Sequence, residues 1–378
     1  MNKATQQGFS LIELMVSVAI GLIVTLAITG VLVAGEQRKR TSTSVNDINQ
    51  TGAYISYVLD KAIRSAGSGF SEKSAAVFGC ALKATRSGTP ILPAALPAPF
   101  TAFSATVRVA PVVIGKSQSL SRQDDVLMVM AGNGGFAESA VKVTPGVADG
   151  SSLNLPNTLT FQNKDLLLLA GSSSGDCLVT EVNGTPAAGA QQLALGGTYF
   201  GTGVAAFDAG SLVIPIGNEA SRPPQFRLFG VGANNTLFSH DLLQVASTAP
   251  LPLAEGVVQM HARYGVDSNG DGLLDTWADA KGDFSPGALL DGSEPARNRL
   301  RSIVAVRVGL VLRTSLPEVR GNLPQGEVVA QETLVLFQDL ADDLQQTFTP
   351  GKDGAKFRHR TAEITIPVRN ALFIDRAI

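Results

Sequence analysis

The sequence predicts an α+β protein in which one long N-terminal helix packs against a β-rich globular body, and two observations carry that prediction. Apolar residues run almost unbroken from 9 to 33 and then recur every three or four positions as far as Ala66, the spacing of a single helical face. Beyond residue 67, short Val/Leu/Ile bursts are separated by turn residues, and the 39 glycines and 19 prolines of the chain favour strands and turns over further helices. The predicted organisation is a leader at 1–8, a helix at 9–66 whose part 9–33 is the membrane or assembly segment, and a β-rich domain at 67–378.

The leader is polar, carries one lysine, Lys3, and ends in Gly8. The apolar run begins at Phe9. A secretory signal peptide has an apolar core of about 7–15 residues before a small-residue cleavage site; this run is much longer. A membrane span needs about 20 apolar residues, which 9–33 supplies. An ordinary span leaves Glu13 unexplained, since an ionised carboxylate inside the apolar segment costs roughly 2.5 kcal/mol or more and marks a functional position.

The helix is predicted to continue past the apolar run. A charged cluster, Glu36-Gln37-Arg38-Lys39-Arg40, follows it. Val45, Ile48, Gly52, Ile55, Leu59, Ala62 and Ala66 then form one stripe, with Asn46, Asp47, Asn49, Gln50, Asp60, Lys61 and Arg64 on the other faces. A single helix over about residues 10–65 would be roughly 80 Å long at 1.5 Å per residue. Its first half is hydrophobic all round, whereas its second half has one face to bury. Gly67-Ser68-Gly69 supplies residues suited to left-handed backbone at its end.

From 70 to 111, five prolines and much alanine predict a loop-rich connector containing Cys80. Strand-like runs follow at 126–130, 166–169, 177–182 and 211–216. Residues 225–231 and 236–240 flank Gly232-Ala233-Asn234-Asn235, a hairpin pattern. The segment 306–313 alternates at period two, with Arg307 and Arg313 opposite Val308, Leu310 and Leu312, and so predicts a half-buried strand. The run 362–370 alternates as well, and Pro367 places it at a sheet edge or a strand end.

Composition narrows the function. With 378 residues the chain is long enough for a sizeable core beyond the helix. A net charge of −2 with 16% charged residues leaves no basic field for nucleic acid. The two cysteines, Cys80 and Cys177, predict one disulfide in an exported domain, with a stabilisation of up to about 4–5 kcal/mol on the chain-entropy account; two buried free thiols are the alternative. Catalysis finds little support. Gly171-Ser172-Ser173-Ser174-Gly175 matches a hydrolase elbow, but that motif requires a following helix and a strand-like run follows here. His240, His261 and His359 are isolated in sequence and lack transition-metal spacing. The prediction is a structural protein, with a membrane-anchored periplasmic hydrolase as the remote alternative.

Asp267, Asn269, Asp271 and Asp275 place oxygen ligands at alternate positions around Gly272, and the Leu273 carbonyl adds a fifth. This pattern suits Ca²⁺, which takes six to eight hard oxygens. It departs from the EF-hand, because Ala278 stands where a bidentate glutamate would be, Asp279 or water being the substitutes. A polar hairpin turn at Asn269-Gly270 and Asp271-Gly272 is the competing explanation.

The string Gly8-Phe9-Ser10-Leu11-Ile12-Glu13-Leu14 resembles the class III signal of type IV prepilins. That resemblance implies cleavage between Gly8 and Phe9 by a prepilin peptidase, N-methylation of Phe9, and pairing of Glu13 with the N-terminal amine of a neighbouring subunit. Taken with Tyr264-Gly265-Val266-Asp267, Asn269-Gly270-Asp271-Gly272 and the closing Thr365-Ile366-Pro367-Val368-Arg369-Asn370, the chain resembles the PilW-type minor pilins. The family implies a low-abundance subunit that joins other minor pilins and the major pilin, primes pilus assembly and sits at the tip, where an adhesin is a possible partner. It implies a single pass through the inner membrane with a periplasmic domain before assembly, the pilus at the cell surface after it, and service in adhesion and twitching motility. A pseudopilin of type II secretion carries the same signal and is the alternative within this machinery.

Overall fold

The computed structural model describes residues 10–120, 123–134, 139–146, 150–171, 175–317, 333–352 and 354–371. Helix α1 spans Leu11–Ser65, 55 residues, or about 80 Å. Its segment Leu11–Val33 buries none of its side chains. The upper half differs: Ile48, Gly52, Ile55, Leu59, Ala62 and Ala66 are buried and Val45 is half-buried, the stripe expected from their spacing. Gly67 (φ 80°) and Gly69 (φ 81°) turn the chain off the helix, where a left-handed backbone favours glycine.

The strands β1 to β19 of the described residues are, in chain order, Ala81–Arg86, Thr89–Leu92, Val112–Gly115, Val126–Ala131, Val141–Lys142, Ser152–Asn154, Asp165–Ala170, Asp176–Glu181, Gln192–Ala194, Leu212–Asn218, Gln225–Val231, Thr236–Asp241, Leu251–Glu255, Val257–Val266, Thr276–Ala278, Ile303–Arg313, Leu334–Leu336, Gln346–Phe348 and His359–Pro367. Three large sheets run in the orders β2-β1-β8-β7-β10-β5, β13-β12-β11-β4-β3 and β15-β14-β16-β19. The pair β1–β8 is parallel, while β7–β8, β11–β12, β14–β16 and β16–β19 are antiparallel. The buried stripe of α1 joins one core with residues of all three sheets, including Met128, Leu168, Val308 and Ile366. A second core, with Leu153, Leu167, Leu169 and Leu193, lies on the other face of the six-stranded sheet. The unbroken run Leu166 to Leu169 is therefore apolar at every position because its strand is covered on both faces.

Two expectations change. The 70–111 segment is not only a connector: β1 and β2 form a hairpin there, turning at Ser87 (φ 48°) and Gly88 (φ 79°). Ala81-Leu82-Lys83-Ala84 has little intrinsic strand preference, and pairing with β8 supplies what propensity does not. Strand β16 is also more deeply buried than its alternation implies. Arg307 and Arg313 are half-buried, but Gly309 and Val311 on their face are covered, because Leu336 and Phe337 pack over Val311. A Cβ added to Gly309 would lie 2.9 Å from the Phe337 ring.

Candidate assembly interface and acidic loop

The lower half of α1 carries most of the exposed large apolar side chains of the described residues. Leu11, Ile12, Leu26 and Val31 are each 70% exposed or more, a state that only a membrane or other helices can relieve. The hydroxyls of Ser17, Thr25 and Thr29 donate to Leu14 O, Gly21 O and Thr25 O within the helix, so these polar groups enter a bilayer already satisfied. Glu13 lies in the first turn and is exposed. Its N–H donates to Ser10 O at 3.0 Å. Gly8 and Phe9, with the rest of the leader, lie outside the described residues.

The body grips the upper half of α1 through residues distant in sequence. Arg360 donates to Asn49 Oδ1 at 2.6 Å. Asn370 Nδ2 donates to the Ser65 and Ala66 carbonyls at 3.2 and 3.0 Å, supplying partners for the orphan carbonyls of a helix C-terminus. Gly67 N–H reaches Met130 O and Gly132 N–H reaches Ser68 O, both at 2.8 Å, and a Cβ on Gly132 would lie 2.9 Å from that Ser68 oxygen. The asparagine closing the Val368-Arg369-Asn370 motif is thus a cap for helix α1.

Tyr264, Gly265 and Asp267 have structural work as well. The Tyr264 hydroxyl is buried and accepts from Ile114 N–H at 2.5 Å, and burial pushes it above the ordinary phenol range. A Cβ on Gly265 would meet Leu274 at 2.7 Å and Ala305 at 2.9 Å. Beside them sits a buried charge cluster that the sequence did not single out. Asp125 accepts from Ser117 N–H at 3.1 Å and Ala262 N–H at 3.0 Å. It faces His261 Nδ1 at 3.5 Å and the Arg263 guanidinium at 4.0 Å, and both it and Arg263 are 1% exposed. Arg263 also donates to Leu344 O at 2.8 Å, lies 3.6 Å from Asp279, and stacks over Phe337 at 4.9 Å. Burial alone would raise the Asp279 carboxyl. Hydrogen bonds from Lys116 and Lys281 and the Arg263 charge outweigh burial and hold it below the usual carboxylate range.

The acidic loop joins β14 to β15. Asp267 accepts from Gly270 N–H at 2.6 Å and Gly272 N–H at 2.8 Å. Asp271 accepts from Leu273 N–H at 2.7 Å. Asp275 accepts from the Ser268 amide and hydroxyl at 2.8 and 2.9 Å, bonds that hold its carboxyl below the usual range. The Asn269 amide lies between Asp271 and Asp275, at 3.2 and 3.4 Å. In this arrangement the carboxylates serve the loop's own amides, and among the described residues no three carboxylate, imidazole or thiol side chains converge on a metal position. Asp279, the substitute twelfth-position ligand, is turned to Lys116, Lys281 and Arg263 instead.

Cys80 and Cys177 are joined in a disulfide with Cα atoms 5.6 Å apart, at the start of the parallel pair β1–β8. Ser172, Ser173 and Ser174 of the Gly-x-Ser-x-Gly string lie outside the described residues. His240, His261 and His359 stand on β12, β14 and β19 respectively.

Residues 229–370 match the family described as type IV pilus-assembly protein W, and residues 3–29 match the prokaryotic N-terminal methylation motif. No curated protein and no solved structure matches the chain. The first match takes in β12 through β19, with Arg263 and Asp279 but not their partners Asp125 and Lys116, the acidic loop and the Asn370 cap, while the second covers residues 3–29, most of the leader and the lower part of α1.

Proposed function

We infer that this chain, which joins a class III prepilin signal to a pilus-assembly W domain, is a minor pilin of the PilW type, a structural subunit of the type IV pilus that works with other pilus components. The observation that carries the reading is the coincidence in one chain of the signal, a stalk exposed on every side and the W domain. A type II secretion pseudopilin would share the signal, but the W domain favours the pilus. The stalk anchors the protein in a membrane. In the fuller reading, the body faces the periplasm before assembly, consistent with a disulfide that needs an oxidising compartment, and the mature subunit joins the major pilin and other minor pilins in a tip complex that primes assembly and meets an adhesin.

Processing tests this reading directly. Prepilin peptidase is expected to cut between Gly8 and Phe9, so mass spectrometry of protein from piliated cells should find an N-terminal Phe9 carrying one added methyl group. Recovery of intact Met1 there would refute it.

We further propose that the acidic loop takes Ca²⁺ through Asp267, Asn269, Asp271, Asp275 and the Leu273 carbonyl. Its support is the density of oxygen ligands within nine residues and the Asn269 amide that already bridges Asp271 and Asp275. Binding requires these carboxylates to turn from backbone amides to the ion. Calcium added to chelator-stripped protein should raise its melting temperature with concentration, and Asp271→Ala should abolish the rise. An absent shift at millimolar calcium leaves the loop as a hairpin turn.

A further inference from the structure

Among the described residues, strand β19 presents a long open edge. The other edge strands of the three large sheets, β2, β3, β5, β13 and β15, have at most five residues, whereas β19 has nine and pairs with β16 without a bulge. Proteins ordinarily shorten, bulge or cover such an edge, because its free amides and carbonyls template another chain. The register identifies those groups. Val368 N–H donates to Val304 O at 2.8 Å and Thr314 N–H to Arg358 O at 2.9 Å, so the even-numbered residues of this strand bond to β16 and the odd-numbered ones point their N–H and C=O outward. Pro367 falls on the outward side, where its missing N–H costs no ladder bond. Among the described residues, no backbone group pairs with Thr361, Glu363 or Thr365 on that side.

Cavities flank this edge on both faces of the strand. One of about 260 Å³ lies between α1 and β19, lined by Asn49, Gly52, Ala53, Ser56, Arg360 and Ala362 among others. The second, of about 540 Å³, is lined by Arg307, Val335, Gln338, Asp339, Thr361 and Glu363. Thr361 borders both. Side chains of a strand laid along this edge would point alternately to the two faces.

We propose that the open edge of β19 receives an extended strand from another pilin-type subunit, with a small or aliphatic side chain entering the cavity beside α1 and a polar or charged one entering the cavity beside Arg307, Asp339 and Glu363. The proposal rests on the minor-pilin reading. A fellow subunit is the occupant because β19 packs on α1 through Arg360 and Asn49, so a chain added there lies against the helix that carries assembly. Main-chain bonds along the edge supply affinity, and the paired cavities supply selectivity for sequence.

The test compares full-length protein purified alone from membranes with its complex with co-expressed pilin-type subunits, by hydrogen exchange at the β19 amides. The outward amides of Thr361, Glu363 and Thr365 should exchange at least about tenfold more slowly in the complex. The double variant Thr361→Pro/Thr365→Pro should lose the complex, and Thr361→Val/Thr365→Val should keep it. Both prolines replace outward N–H groups and spare the β16 ladder, and circular dichroism checks folding; if the proline variant does not fold, the exchange comparison on unaltered protein decides. Equal exchange in the two states, slow exchange in the isolated protein, or an undiminished complex with the folded proline variant would overturn the proposal. A protein processed at Phe9 and present in pili, with its β19 amides still fast, defeats strand addition and leaves the pilin reading standing. Protein that keeps Met1 and never joins pili defeats both.

Discussion

Asp125→Ala is expected to destabilise the body by about 3–5 kcal/mol, the usual cost of removing one partner from a buried charge pair. The Arg263 guanidinium stays 1% exposed and, among the described residues, keeps Asp279 at 3.6 Å as its anionic partner. The buried Ala262 amide loses its acceptor, at a cost of about 1–3 kcal/mol for an unsatisfied buried donor, and the exposed Ser117 amide loses its acceptor as well. These amides belong to the junction of two sheets: Asp124 and Asp125 precede β4, and Met260 N–H reaches Asp124 Oδ1 at 3.2 Å while Asp125 N–H reaches Met260 O at 2.9 Å on β14. Asp125→Asn retains an acceptor but not the charge, so it should fall between alanine and wild type. The single tryptophan, Trp277, is half-buried on β15 beside this junction and reports urea unfolding by fluorescence. An alanine variant within 1 kcal/mol of wild type, a shift smaller than the loss of a single buried hydrogen bond, would show that the cluster is not what joins the sheets.

Glu13→Ala should leave membrane insertion intact and remove the protein from pili. The carboxylate opposes insertion by roughly 2.5 kcal/mol or more if ionised at span depth, so its loss makes the apolar run a better anchor. Assembly responds the other way. If Glu13 meets the N-terminal amine of a neighbour among packed stalks, its removal strands that amine in an apolar core, at a cost of about 3–5 kcal/mol, which corresponds to a hundredfold or greater loss of incorporation at about 1.4 kcal/mol per tenfold. Glu13→Gln separates charge from hydrogen bonding, because the amide accepts a bond but cannot neutralise an ammonium. Quantifying the variants in sheared pili and in the membrane fraction gives the result. Wild-type amounts of Glu13→Ala protein in pili would rule this role out.

Much of the architecture could be read along the chain because it depends on near neighbours. The change in α1 from apolar on all sides to apolar on one side marks where its exposed stalk ends and its packed half begins. The hairpin β11–β12 turns within residues 232–235, and Pro367 ends an edge strand. The N-terminal methylation motif is legible for the same reason, being a short contiguous string. The acidic loop was legible as a run of oxygens, but spacing alone could not say whether they face an ion or the loop's own amides.

The sequence by itself determined the α+β class, the helix to Ser65, its exposed apolar half and most strand positions, since each follows from spacing within a few residues. Only the tertiary structure decided the parallel pairing of β1 with β8, the second core behind Leu167 and Leu169, the Asp125–Arg263 cluster, and the capping of α1 by Asn370 across 305 positions. Those features are made by side chains and backbone groups whose partners lie far along the chain. Local pattern records that a group must be buried or bonded, whereas the partner is chosen by which distant elements the packed cores bring together.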